Sequence, residues 1–372
     1  MTAGRKGVPG MREATLHLGR HLRLDDNPLL SSAAATHDRL LPTFALDPAV
    51  GRGPQQRAFL LASLADLQAS LRALGSDLLL VHEPPPADVC DRYTSPLRML
   101  DDADLPCEPV AVPRTYTPFR ELVERAGVRC TAPTPAPTRL PPLPAGAVCP
   151  TIEAPDIPLV AAGGESAGLR HWRGYRDRRL PDTYKETRNG LLGRGYSSKL
   201  SPWLAWGCIS PRRIADDLAH YEREWAANDG TYWLWFELLW RDFFALRADH
   251  LRGGADAVDD QDPRWRSLQE ARLGHPFVDA GVRELNATGF LGNRMRQIVA
   301  SYCINELQWP WWVGEAYFAR HLIDHDPASN VGNWRYIAGQ GADPRGGRRF
   351  NVEKQREMYD PDGAYERFWT AG

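Results

Sequence analysis

The sequence predicts an α/β domain followed by an all-α domain. In the first third, short apolar runs alternate with longer stretches that carry an apolar stripe, a pattern typical of strands and helices in turn. A proline-dense stretch follows, and helical periodicity dominates the rest, where all 13 tryptophans lie at or beyond Trp172. At 372 residues the chain exceeds what one hydrophobic core usually supports, so two domains are expected.

In the first domain, short apolar runs predict strands at Thr15–Leu18, Leu40–Leu46, Asp77–His82 and Pro109–Val112. Apolar stripes predict helices at Gln55–Leu74 and Phe119–Ala126. Strands that alternate with helices favour a parallel, doubly wound sheet. The chain has no GxGxxG after the first strand and no GxxxxGK[ST], so the two usual phosphate-binding loops are missing.

These patterns divide the chain into four segments. We expect a disordered amino terminus at 1–13, the α/β domain at 14–131, an extended proline-rich linker at 132–163 and the helical domain at 164–372. Beyond an opening helix after Gly164, the predicted helices of the last segment are Pro211–Glu224, Thr231–His250, Asn293–Glu306 and Gly314–Ile323.

Charge and cysteine usage limit the classes of partner. A formal charge of −2 gives no global basic field, so a nucleic acid would have to bind a local groove. The six cysteines show neither a CxxC pair nor zinc-finger spacing, which favours free thiols in a reducing cytosol. We find no signal peptide and no apolar run of membrane-spanning length, and therefore expect a soluble, cytoplasmic protein without a membrane partner.

The most unusual stretch is the aromatic run TYWLWFELLWRDFFALRADH, from 231 to 250, behind a predicted cap at Asp229. A 3.6-residue period places five side chains on one face: Trp233, Glu237, Trp240, Arg241 and Phe244. Charge among large rings is costly unless it is paired or used. Two interpretations remain open, a structural pair of Glu237 with Arg241 at i, i+4, or the lining of a polar cavity.

Hydroxyl and lysine side chains after two glycines suggest a phosphate site at 197–201. Ser197, Ser198, Lys199 and Ser201 can hold phosphate oxygens, and Arg241 would add a fixed cation if its face points there. The alternative is an ordinary loop that caps a helix at Trp203–Gly207.

Polar residues recur in three later positions. Asn293, Arg296 and Gln297 share one face of a helix, which is either a solvated face or a site wall. Asp324 and Asp326 form a D-x-D motif at a predicted helix carboxyl end, where the helix dipole disfavours acids. Without a third acid we expect no metal there, and favour pairing with Arg296 and contact with ring N–H groups of a heterocycle.

The amide of Asn330 can both donate and accept, which suits a ring nitrogen that changes its protonation state. A structural Asx turn is the alternative.

Several long motifs occur together in one order: TYKETRNG, YSSKLSPWLAWGCISPR, FELLWRDFF, GHPFVDAGVRELNATGFLGNRMRQ and SNVGNWRYIAGQGADPR. They resemble the flavin-binding domain of the photolyase and cryptochrome family, and within it the DASH branch. The resemblance implies an α/β domain joined to an all-α FAD-binding domain that holds a U-shaped flavin.

The resemblance also implies roles for individual residues. Those that would hold the FAD diphosphate and ribityl region are Tyr184, Ser197, Ser198, Lys199, Leu200 and Ser201, with Arg241 beside them. Asp324 and Asp326 would meet the flavin and adenine side, Arg296 would pair with Asp324, and Asn330 would face flavin N5. Glu237 and Trp240 would contact a pyrimidine dimer in a pocket also lined by Asn293 and Gln297.

The implied activity is repair of cyclobutane pyrimidine dimers by electron transfer from excited, reduced flavin. The implied partner is damaged DNA, and single-stranded DNA is favoured because flipping a dimer out of it costs least. We expect a monomer. The rival hypothesis is a flavin photoreceptor without repair, and a third is a light-independent electron-transfer protein. The chain ends soon after Trp369, without the long tail of signalling cryptochromes, which favours repair.

The chain departs from the family pattern in its electron-transfer residues. Trp334 and Trp311 match the first two of three tryptophans that reduce the flavin, but the expected third position offers only Trp265 in uncertain register. Photoreduction is therefore either slow or uses a different outer ring, with three candidates: Trp309, Trp312 and Tyr302.

A second departure concerns the folate antenna. Where DASH-like sequences carry a His-Arg-Glu stretch, this chain has Pro113, Arg114 and Thr115. The acid is missing, so we predict weak or absent folate binding.

Overall fold

A computed structural model describes residues 11–46, 51, 53–83, 98–128, 130–193, 195–247, 261–341 and 346–371. Residues 1–10 of the predicted disordered terminus and residues 248–250 of the predicted aromatic helix lie outside this range.

Three parallel strands in the order β1-β2-β3 form the sheet of the amino-terminal half: β1 (Glu13–His17), β2 (Arg39–Ala45) and β3 (Leu79–Val81). Leu16 on β1 and Phe44 on β2 are buried in the core. All three strands were predicted, with ends that differ by one to two residues. Their parallel pairing confirms the α/β class of this half.

Helices α1 (Pro28–Thr36) and α2 (Pro54–Ala73) connect successive strands, and α3 (Tyr116–Arg125) follows later. The predicted strand at Pro109–Val112 is wrong, because Pro109–Ala111 forms a 3₁₀ turn. Pro109 supplies no N–H for a sheet ladder, and Pro113 closes the segment after four residues. Helix α1 escaped prediction because its serines and alanines give little apolar contrast.

The proline-rich stretch contains no helix or strand in the described residues from 132 to 163. It is tied to α2 along its length. The Leu140 N–H donates to the Leu74 carbonyl at 3.2 Å, and the Ile152 N–H donates to Gln68 Oε1 at 2.9 Å. Leu140 and Ile152 are themselves buried, so the stretch packs on the α/β half as an extended strap.

From residue 165 onward all regular elements of the described residues are helical, which confirms the all-α class of this half. The helices are α4 (Glu165–Asp177), α5 (Tyr184–Thr187), α6 (Ser201–Trp206), α7 (Pro211–Glu224), α8 (Asp229–Leu246), α9 (Pro263–Gln269), α10 (Pro276–Thr288), α11 (Asn293–Asn305), α12 (Trp311–His321), α13 (Pro327–Ile337), α14 (Val352–Tyr359) and α15 (Ala364–Thr370). Among the helices that the structure describes, none combines the length and apolarity needed to cross a membrane.

The turn after β1 inserts into the helical half and is held there by buried charge. Asp26 accepts hydrogen bonds from the Arg212 guanidinium at 2.8 and 3.0 Å. Glu165, at the start of α4, accepts from the Leu24 and Asp25 N–H groups at 2.7 and 2.9 Å. Burial raises the pKa of Glu165 to about 7, although these N–H donors and Arg23 act against the rise.

We expect Glu165→Gln to change how stability depends on pH. Because the folded pKa lies above the unfolded value, the folded state binds more protons between pH 4.5 and 7, so Glu165 stabilises most below pH 4.5 and loses that contribution by about pH 7. The wild-type advantage over the variant in free energy of unfolding should fall by roughly 3 kcal/mol across this window. Urea unfolding at pH 4.5 and 7.5 measures it, and a pH-independent difference would contradict the assignment.

Candidate functional site

One cavity of about 470 Å³ lies among α5, α8, α11, α13 and the segment 196–201. It is lined by all the predicted site residues except Trp311: Tyr184, Ser197, Ser198, Lys199, Leu200, Ser201, Glu237, Trp240, Arg241, Asn293, Arg296, Gln297, Asp324, Asp326, Asn330 and Trp334. These residues are spread over 150 positions of sequence, so the fold brings them to one place.

Helix α8 forms one wall of the cavity. Its cap is Asn228, one residue before the predicted Asp229: Asn228 Oδ1 accepts from the Thr231 N–H, and Thr231 Oγ1 accepts from the Asn228 N–H, both at 3.1 Å. Asp229 therefore lies in the first turn of α8, where the helix dipole favours an acid. The predicted face is confirmed, since all five side chains assigned to it line the cavity.

Glu237 forms an ion pair with Arg188, at the end of α5, and not with Arg241. The Arg188 guanidinium also lies 4.3 Å from the centroid of the Trp233 ring. The structural i, i+4 pair is therefore wrong, and the cavity interpretation stands. Burial raises the pKa of Glu237, and the cation of Arg188 opposes that rise.

Arg241, one turn further along α8, pairs with a different carboxylate. Its Nη2 lies 3.6 Å from Asp326 Oδ2 and donates to the Leu204 carbonyl at 3.1 Å. The prediction that Asp326 lies at the carboxyl end of a helix is wrong. Asp326 caps the start of α13, where its Oδ1 accepts from the Ser329 N–H at 2.7 Å. Burial acts to raise the pKa of Asp326, but Arg241 and Arg20 hold it below its usual value.

The predicted pair of Arg296 with Asp324 is confirmed. Arg296 Nη2 donates to Asp324 Oδ2 at 2.7 Å, and its Nε donates to the Leu291 carbonyl at 2.6 Å. The second carboxylate oxygen, Asp324 Oδ1, and Ser329 Oγ are buried without a hydrogen-bond partner in the described part of the chain. A buried polar atom in this state calls for a ligand that can pair with it.

Asn330 lies within α13, so the Asx turn is wrong. Its Nδ2 donates to the Glu315 carbonyl at 3.0 Å and to Glu315 Oε1 at 2.9 Å. Because the amide nitrogen is engaged by Glu315, the oxygen is the atom that can accept from a group in the cavity.

The segment that leads into α6 has an unusual backbone. Ser197 and Lys199 adopt the left-handed conformation, with φ of 56° and 52°. Such strain persists where surrounding contacts enforce it, often at ligand sites. His171 Nε2 lies 2.7 Å from the Ser198 carbonyl, and Lys199 Nζ donates to the Gly193 carbonyl at 2.7 Å. The residue that caps α6 is Leu200, without a side-chain hydrogen bond, so the serine hydroxyls do not serve the capping role of the alternative.

Asn293 and Gln297 line the cavity from α11, with Asn293 exposed and Gln297 half-buried. Their side chains therefore belong to the site wall and not to a purely solvated face.

Several lining residues were not predicted from the sequence, among them Arg188 and Tyr336. Tyr336 packs edge-on against Trp240, with ring centroids 5.9 Å apart. Both lie inside motifs that carried the family resemblance, Arg188 four residues after Tyr184 and Tyr336 two residues after Trp334. The i, i+4 spacing from Tyr184 was the signal that could have found Arg188, whereas a spacing of two residues from Trp334 gave no such signal for Tyr336.

Comparison with known proteins decides the family. Residues 233–371 match the FAD binding domain of DNA photolyase, and residues 16–97 match the DNA photolyase family. A cryptochrome DASH from Vibrio parahaemolyticus is 38% identical over 94% of this chain and 91% of that protein. This chain belongs to the photolyase and cryptochrome family.

Solved structures of family members agree in fold over nearly the whole chain. A cryptochrome from Synechocystis sp. PCC6803 is 32% identical, with a TM-score of 0.89 over 99% of this chain and 90% of that one. A class III photolyase from Agrobacterium tumefaciens is 26% identical, with a TM-score of 0.80 over 99% of this chain and 88% of that one.

FAD is the cofactor of this family member, and the residues of the cavity fit it. The volume lies in the range of small-molecule sites. The hydroxyl and lysine segment at 197–201 with Arg241 suits a diphosphate, whereas the unpaired Asp324 Oδ1 and the free oxygen of Asn330 suit ring N–H groups.

Asp324→Asn should weaken FAD binding about tenfold. The change removes the charge that Arg296 pairs with and an acceptor aimed into the cavity, and charge-assisted bonds contribute roughly 1.5–3 kcal/mol. Titration of the apoprotein by flavin fluorescence measures the Kd. Glu306→Gln, which removes a surface partner of Arg349, is the control. An unchanged Kd for Asp324→Asn would exclude this role.

Proposed function

We propose that the protein is a blue-light-dependent DNA photolyase that splits cyclobutane pyrimidine dimers. The observation that carries the proposal is the division of α8: Glu237 and Trp240 face the cavity beside Arg188, while Arg241 turns to Asp326 and Leu204. One helix thus offers an acid and an aromatic ring to a substrate, and a cation to a cofactor phosphate. A flipped pair of pyrimidines needs both a flat apolar contact and a donor for its carbonyl oxygens.

In this proposal Glu237 acts on the dimer through hydrogen bonding. Burial raises the pKa of Glu237, against the effect of Arg188. A protonated carboxyl group at this position would donate to a pyrimidine carbonyl and stabilise negative charge that develops there. FAD held by the segment 197–201, Arg241, Asp324 and Asn330 would supply one-electron chemistry, in a reaction without net redox change. Trp240 and Tyr336, which contact each other edge-on, offer the apolar wall against which the dimer packs.

The proposed partner is a damaged strand of DNA, preferentially single-stranded. Arg188, Arg294 and Arg348 all line the cavity, which gives a local cationic groove in a chain of net charge −2. Phosphate contacts from these residues would hold the strand. Single strands avoid the cost of unpairing before a dimer can enter.

We also propose a route that delivers electrons to the bound cofactor through Trp334, Trp311 and Trp312. Trp334 is 2% exposed and packs on Gly314, where a Cβ would collide with its ring. Gly314 lies one turn after Trp311 on α12. Trp311 and Trp312 meet edge-on with centroids 6.1 Å apart, and Trp312 is 39% exposed, so a hole passed along the chain of rings reaches solvent there.

Trp265 does not suit the outer position. It is 3% exposed and packs edge-on against Tyr317 at 4.9 Å. Of the candidates from sequence, Trp312 has the ring contact with Trp311 that the others lack in the described aromatic pairs.

One observation favours the alternative, a flavin photoreceptor without repair. In the resting structure Glu237 is already paired with Arg188, a state that a receptor could keep. The proposals differ in whether light returns a dimer to two pyrimidines.

A repair assay separates these functions. We expect the reduced protein under blue light to reverse thymine dimers in a single-stranded oligonucleotide. Glu237→Gln should slow reversal about tenfold, equivalent to ~1.4 kcal/mol for a lost charge-assisted bond, at unchanged FAD content. Asp229→Asn, an exposed acid on the same helix, should retain the wild-type rate. Absence of reversal by the wild type in both single-stranded and duplex DNA would refute the photolyase.

For the electron route, Trp312→Phe should slow photoreduction of oxidised FAD by an external thiol about tenfold, because phenylalanine is much harder to oxidise than tryptophan. Trp265→Phe and Trp309→Phe should leave the rate near that of the wild type. Absorbance of the flavin under continuous blue light gives the rates, and the FAD content of each variant provides the control. A slow Trp265→Phe beside an unaffected Trp312→Phe would contradict the route.

A further inference from the structure

Tyr116, the first residue of α3, is stacked on Trp240. The two ring centroids lie 3.7 Å apart and the planes differ by 12°. Tyr116 is 4% exposed and comes from the α/β half of the chain, whereas Trp240 belongs to α8. Trp240 lines the cavity and Tyr116 does not, so Tyr116 covers the Trp240 ring from behind.

The same tyrosine is attached to the backbone of α8 beside Glu237. Its hydroxyl donates to the Phe236 carbonyl at 2.9 Å, and its ring meets Phe236 and Phe243 edge-on at 5.1 and 5.7 Å. Because the Phe236 carbonyl accepts this bond, Tyr116 is held at a fixed distance from the turn of α8 that carries Glu237. Tyr116 therefore contacts α8 at two places. Its ring stacks on Trp240, and its hydroxyl binds the carbonyl of Phe236, the residue before Glu237.

Contacts on either side keep Tyr116 in register with α8. Asp242, fully buried, accepts from the Met99 and Leu100 N–H groups at 2.8 Å each. At the other end of α3, the Tyr232 hydroxyl donates to Glu124 Oε1 at 2.7 Å. The chain from 99 to 124, which includes Tyr116, is thus bound to α8 on both sides of the stack. These contacts support the tyrosine against displacement.

We propose that Tyr116 is a positioning residue for dimer recognition. A tryptophan beside a cavity would otherwise sample several rotamers and lose that freedom when a ligand packs on it. The stack with Tyr116 fixes the Trp240 ring beforehand, so the dimer meets a wall already in place. The α/β half of the chain therefore contributes directly to substrate affinity. This inference rests on the proposed photolyase function.

The variants separate the ring from the hydroxyl and both from general packing. Tyr116→Leu removes the stack, and Tyr116→Phe keeps it while losing the bond to Phe236. Phe119→Leu is the matched control, because Phe119 is fully buried on the same helix and packs on Phe243 at 5.6 Å. If Tyr116→Leu does not fold, Tyr116→Met offers a longer and more flexible side chain of similar volume, which fills irregular gaps without an aromatic face.

Binding of FAD-loaded protein to dimer-containing and undamaged single strands is measured in the dark by fluorescence polarisation. We expect Tyr116→Leu to reduce the preference for the dimer about tenfold, and Tyr116→Phe to stay within about twofold of the wild type, because aromatic stacking survives in it. Repair at saturating strand should keep its wild-type rate in Tyr116→Leu, so that KM changes and kcat does not. Phe119→Leu should lower Tm and leave the preference unchanged.

An unaltered preference in Tyr116→Leu would overturn the inference, and so would an equal loss in Phe119→Leu, which would indicate general packing. A wild type that shows no preference for the dimer and no repair would refute the proposed function, and the inference with it. A wild type that repairs, beside an unaffected Tyr116→Leu, would refute the inference alone.

Discussion

The charged face of α8 is the constraint on which the rest of the site depends. An acid and a guanidinium on a largely apolar helix each need a partner, because unpaired charge away from water costs several kcal/mol. Glu237 takes Arg188 from α5, and Arg241 takes Asp326 from the start of α13. These two pairs hold different elements against successive turns of one helix. The space between those elements is the cavity, and each end of it carries one such pair of an acid and a guanidinium.

The opposite side of α8 is held by the α/β half. Asp242 binds the backbone at 99–100, and Tyr116 covers Trp240. The helix is therefore fixed on both faces, which limits the motion of Glu237 and Trp240 before any ligand arrives. A site built in this way does not need to order its aromatic wall on binding. The backbone at 99–100 and helix α3 of the α/β half thus support the helical site through packing.

Local periodicity made much of this predictable from sequence. The five-residue face of α8 follows from a 3.6-residue repeat, and the pair of Arg296 with Asp324 follows from an acid that needs a cation. The partner of Glu237 could not be found in this way, because Arg188 lies 49 positions away and its approach depends on how α5 packs. Asp326 was misplaced because a residue between two helices can end one or cap the next. The strand at Pro109–Val112 failed because apolar character alone does not supply ladder hydrogen bonds.

The most direct test is a crystal structure of the protein with FAD and a single strand that contains one thymine dimer. We expect the diphosphate against 197–201 and Arg241, and the dimer between Glu237 and Trp240, with the Trp240 ring still stacked on Tyr116. A dimer bound outside the cavity, or a cofactor diphosphate at Glu237, would contradict the division of α8 into a substrate side and a cofactor side.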